Sequence, residues 1–153
     1  MTQFRNVSVD LAAPVEQWPH EALETVLDRG SLSDWRRLAR CIRDDPWGPV
    51  ARSVEAISEW DDHYGVDRLM RRVIDRARSD VDARGRARYA ERIRRAREST
   101  GLSQRDLARL AGTSASRLSD YENAKVAPTT DVLGRIELVT ERIVAANQPR
   151  RRA

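Results

Sequence analysis

The sequence predicts an all-α chain, and three observations carry that expectation. Apolar residues recur at three- and four-residue spacing through most of the 153 positions, as the buried stripe of a helix requires. No stretch alternates apolar with polar residues, and the β-branched residues are scattered, so nothing reads as a strand. Gly, Pro and Ser fall where such helices would start or stop. Hydrophobic residues make up 40% and charged residues 34%, enough for one or two small cores under a polar coat, which excludes a wholly disordered chain.

Residues 1–13 show no period and read as a loose arm. Pro19 suits the first turn of a helix with the stripe Ala22, Leu23, Val26 and Leu27, and Gly30 stops it. Ser33 reads as the N-cap of a second helix, whose face carries Trp35, Leu38, Ala39 and Ile42. Asp44-Asp45-Pro46 ends it, because the residue before a proline avoids the helical region. Val50, Val54, Ile57 and Trp60 define a third helix that closes near Tyr64-Gly65. Leu69, Met70, Val73, Ile74, Ala77 and Val81 define a fourth. Gly85 then lies in an Arg-rich stretch, read as a helical connector rather than a break. The domain boundary is placed there, with a helical domain over 1–84 and a second domain over 85–153.

Charge divides the chain in a similar way. The 28 Lys and Arg exceed the 24 Asp and Glu by four, but residues 1–65 carry a net −5 and residues 66–153 a net +9. A basic half speeds encounter with a polyanion such as nucleic acid. GC-rich coding also accounts for an excess of Arg over the single Lys, Lys125, but not for the asymmetry. All four tryptophans (Trp18, Trp35, Trp47 and Trp60) lie in the acidic part, away from the basic residues. Base stacking needs aromatics among cations, so these rings are assigned to packing in a small core.

Several functions are disfavoured. No run approaches the ~20 apolar residues that span a bilayer, and the first residues lack the pattern of an export signal, so no membrane partner and a cytoplasmic location are expected. Cys41 is the sole cysteine and cannot form an internal disulfide. His20, His63 and Cys41 have no zinc-site spacing, and no glycine-rich phosphate loop occurs, so no metal and no cofactor are expected. Asp61-Asp62-His63 has neither a nucleophile nor an oxyanion donor set beside it and reads as a polar helix end. An enzyme is not expected.

Residues 89–145 carry the functional signal. A helix from about Tyr89 to Ser99 buries Ile93 and Ala96, and Gly101-Leu102 makes a turn. Ser103 caps a helix from Gln104 to Ala111, and a tight turn follows at Gly112-Thr113. Ser114 then caps a helix reaching about Glu122, and another helix starts near Thr129 or Thr130, after Pro128. Two short helices joined by a three- to four-residue turn containing glycine form a helix-turn-helix. Ala108 must be small because the next helix crosses above it, and Gly112 tolerates the positive φ of the turn. Leu107, Ala111, Leu118 and Tyr121 face the shared core, leaving Ala115, Ser116, Arg117 and Asp120 outside, short enough for a helix to enter a major groove about 12 Å wide.

The stretch RRARESTGLSQRDLARLAGTSASRLSDYENAKVAPTTDVLGRI resembles the λ-repressor and Cro-like (XRE-type) DNA-binding domain, over about a third of the chain. The resemblance implies double-stranded DNA as partner and no cofactor. It implies a phosphate contact for Gln104, base-reading or groove-facing places for Ser114, Ala115, Ser116, Arg117 and Asp120, and backbone contacts for Asn123 and Lys125. Arg97 and Glu122 match an internal ion pair. The chain also departs from the pattern. Asp120 stands where a basic or amide residue is common, Ala115 where an amide or Arg is common, and Ala124 where Gly is common. Readout therefore falls on Arg117, whose fork suits guanine, though a phosphate is the competing contact. Leu133, Ile136, Val139, Ile143 and Val144 imply one long helix over about 131–146, offering its stripe to a partner or to the chain's own core, before the tail Arg150-Arg151-Arg152. The implied function is a sequence-specific regulator, expected as a homodimeric repressor with residues 1–84 as the dimer module. The alternative is an antitoxin that binds a toxin through residues 1–84 and regulates its own operon. A small effector has no polar constellation to bind it.

Overall fold

The computed structural model describes residues 12–60 and 65–147, and every regular element among them is helical. A 3₁₀ turn over Val15–Gln17 precedes seven α-helices: α1 (His20–Arg29), α2 (Leu32–Asp44), α3 (Pro49–Trp60), α4 (Val66–Thr100), α5 (Gln104–Leu110), α6 (Ala115–Glu122) and α7 (Thr130–Asn147). The all-α expectation holds. The arm before residue 12, the segment Asp61-Asp62-His63-Tyr64 and the C-terminal Arg tail lie outside the described residues. The chain forms two compact units, Met1–Asp80 and Val81–Ala153, each with its own core. Their division falls inside α4, because the helix runs uninterrupted through Gly85.

In the first unit the predicted stripes pack together. Leu23, Val26 and Leu27 of α1 meet Leu38 and Ile42 of α2, Val54 and Ile57 of α3, and Met70 and Ile74 of α4. The start of α2 differs from expectation: its N-cap is Ser31, not Ser33. Ser31 Oγ accepts from Asp34 N at 3.3 Å while Ser31 N donates to Asp34 Oδ2 at 3.0 Å, and the reciprocal bonds favour the earlier serine. Gly30 is required by a close approach. A Cβ there would sit 2.4 Å from Val26 O, the atom that accepts from the Trp35 indole at 2.7 Å.

The tryptophans divide. Trp18 is buried, with its indole donating to Ala13 O and the Arg37 guanidinium over its ring. Trp35 is half-buried against the core. Trp47 is partly exposed under Arg78, which Glu55 holds by two bonds of 2.6 and 2.9 Å. Trp60 is 89% exposed, so it does not join the core stripe of α3, and Leu69, 50% exposed, does not join that of α4. Spacing alone misplaced both, because each lies roughly a quarter-turn around its helix from the centre of the buried stripe.

Cys41 is half-buried against the same core. Burial first, then the charge and hydrogen bond of Glu16, then the charges of Asp44 and Asp45, push its thiol up to about 11. Only the thiolate attacks alkylating agents. Iodoacetamide at neutral pH is therefore expected to label the native protein roughly 100-fold more slowly than the unfolded chain, about two decades of thiolate population. Equal rates in the two states would contradict this environment.

Candidate nucleic-acid interface

The second unit is built around Ile93 of α4, Leu107 and Ala108 of α5, Ala111, Leu118 and Tyr121, and Val132 and Ile136 of α7. Its two short helices begin as the serines require. Ser103 Oγ accepts from Asp106 N at 3.1 Å, and Ser114 Oγ from Arg117 N at 3.1 Å. Between them, α5 ends in a Schellman turn. Thr113 N donates to Ala108 O and Gly112 N to Arg109 O, with Gly112 at φ +65°. Ala108 is buried in the core that α5 and α6 share.

The end of α6 repeats that turn with a residue less suited to it. Lys125 N donates to Asp120 O and Ala124 N to Tyr121 O, which puts Ala124 at φ 56°. A Cβ in this left-handed region costs about 1 kcal/mol, which glycine does not incur. Ala124→Gly is expected to stabilise the unit by about that amount, read as a raised urea midpoint in far-UV circular dichroism. An unchanged or lowered midpoint would count against it.

Three helices converge on one carboxylate. Glu122, only 7% exposed at the end of α6, takes Arg97 Nε at 2.7 Å on one oxygen and Gln104 Nε2 at 2.7 Å on the other. Its backbone carbonyl also accepts from Arg94. These bonds tie α6 to both α4 and α5, so the exposed side of α6 is presented from a fixed mount. Arg94 escaped the sequence reading. Its one signal was position, three residues before Arg97 on the same helix face.

Gln104 thus enters this clamp through its side chain. Its backbone N–H, at the first position of α5, has no partner within the helix. Ser114, Ala115, Ser116 and Arg117 are exposed together over the first turn of α6, and Arg117 has no ion-pair partner among the described residues. Asp120 is half-buried with Lys125 Nζ 3.5 Å from its Oδ1, so the two charges offset each other. Asn123 caps α6, its amide donating to Ser119 O at 2.8 Å. The sequence-named residues of α6 and its end therefore form two groups: an exposed row at the start of the helix, and a set at its end already held by intramolecular bonds.

A glycine-turned pair of short helices, the second clamped from behind and bare in front, defines a helix-turn-helix DNA-binding module. Residues 93–141 match the helix-turn-helix family model. This segment is an XRE-type, λ-repressor/Cro-like helix-turn-helix domain, and its presence supports a DNA-binding regulator of that type. Neither the comparison with curated proteins nor that with solved structures gave a significant match. No helix among the described residues is long and apolar enough to cross a membrane.

Proposed function

We propose that the chain is a sequence-specific, dimeric transcriptional repressor acting on duplex DNA in the cytoplasm. The observation that carries this reading is the exposed first turn of α6, short side chains flanking one unpaired arginine. Ser114, Ala115 and Ser116 let the helix approach the floor of the major groove, and Arg117 spans to a guanine edge. The backbone N–H of Gln104 at the start of α5 meets a phosphate, as helix N-termini do. Asn123 and Lys125 meet the backbone at the far end, with Lys125 leaving Asp120 to do so. The first unit serves as the dimer module and sets the half-site spacing.

Site selection from random duplexes with the full-length protein tests this reading. An inverted repeat supports a dimeric reader, and recovery of unrelated sequences would refute it. Trp60, almost wholly exposed on the first unit, is the side chain best suited to anchor a partner. Trp60→Ser is expected to weaken dimerisation at least tenfold in sedimentation equilibrium. The same exposed ring favours one second reading, an antitoxin whose first unit binds a toxin. A wild-type protein that stays monomeric at micromolar concentration and selects a single half-site would favour that reading over the dimeric one.

A further inference from the structure

Within the second unit, α4 buries Ala90 and Ile93. At about 100° per residue, Arg84, Arg88 and Arg95 fall on one row of the helix, with Arg92 beside it. These four arginines are exposed. They cover about 16 Å of helix, on the side away from Ile93 and roughly 140° around α4 from Arg94 and Arg97, which hold α6. Arg92 pairs with Glu137 and Arg95 with Glu91, while Arg84 and Arg88 have no ion-pair partner among the described residues. An open groove lined by Ala87, Arg88, Glu91, Arg92 and Arg95 runs between the side chains.

We propose that this face is a second polyanion-binding surface, gripping the phosphates of a duplex segment other than the one α6 reads. The inference rests on the chain being a DNA-binding regulator, but not on Arg117 or on dimerisation. Three arguments favour DNA over an acidic protein. Arg84, Arg88, Arg92 and Arg95 stand along the face with one acid, Glu91, and a duplex offers about ten phosphate charges over the same ~16 Å. Guanidinium forks match phosphate oxygens, and Arg is the side chain suited to such contacts. The row holds no large apolar side chain of the kind that anchors a protein partner.

The test is a two-duplex assay with the full-length protein: one duplex immobilised, a second labelled in solution, both short. The wild type, bound to the first, is expected to recruit the second. The variant carrying Arg84→Gln and Arg88→Gln should bind the immobilised duplex as before and recruit the labelled one at least tenfold less. The salt slope of recruitment should fall by about 2, from two lost phosphate contacts. Both side chains are exposed, so circular dichroism should show an unchanged fold. Failure of the wild type to recruit, equal recruitment by the variant, or equal loss of both binding events would each overturn the proposal. So would a variant that alters self-association without DNA, which would assign the face to the acidic unit of a second copy. Arg117→Ala, run in parallel, reports on the α6 reading separately: it should change sequence preference on the first duplex and leave recruitment of the second intact.

Discussion

Arg117→Ala is expected to flatten the preference at one base pair of the selected site while leaving the other positions as they are. Arg117 is the only long donor among the four exposed residues of the first turn of α6, and no ion-pair partner among the described residues neutralises it. A bidentate contact to guanine is worth about 1–3 kcal/mol of discrimination, a factor of roughly ten to a hundred or more between the right base and the wrong one. Repeating the site selection with the variant, beside the wild type, reads this directly. A loss of affinity spread evenly over all sequences would make Arg117 a phosphate contact instead.

Arg97→Met should act quite differently. It removes one partner of the buried Glu122 carboxylate and leaves only Gln104 to satisfy it. Breaking a buried pair costs about 3–5 kcal/mol, and partial exposure of Arg97 brings the expected loss to about 2–3 kcal/mol. The loss should appear in far-UV circular dichroism as an earlier unfolding step. It should be small in tryptophan fluorescence, because all four rings lie in the first unit. DNA affinity should fall for every sequence alike, since the mount of α6 loosens while its reading face is untouched. A variant of unchanged stability would remove the clamp from the account.

Much of the second unit was legible because its signals are local. Ser103 and Ser114 cap helices through their own nearby backbone, and Gly112 takes a positive φ that its turn demands. Leu107, Leu118 and Ile136 lie on stripes of one period. What escaped depends on neighbours distant in sequence. The Arg97–Glu122 pair was implied by the family resemblance, but the side chain of Gln104 reaches the same carboxylate across 18 positions, an engagement that followed from no spacing. Gly85 was read as part of a helical connector, and α4 does run through it, since a helix tolerates one glycine at about 1 kcal/mol. Residues 81–89 of α4 include no buried side chain, which blurs its period over the full 35 residues. Ser31 and Ser33 are equally good caps in isolation, and only the reciprocal bond to Asp34 separates them.

The central claim is that the front of α6 meets the duplex. Backbone amide shifts of the full-length protein, followed during titration with the selected duplex, test it most directly. The largest changes are expected at Ser114, Ala115, Ser116 and Arg117, with Ile93 and Leu107 nearly still. Large changes elsewhere, with those four amides unmoved at saturation, would contradict it.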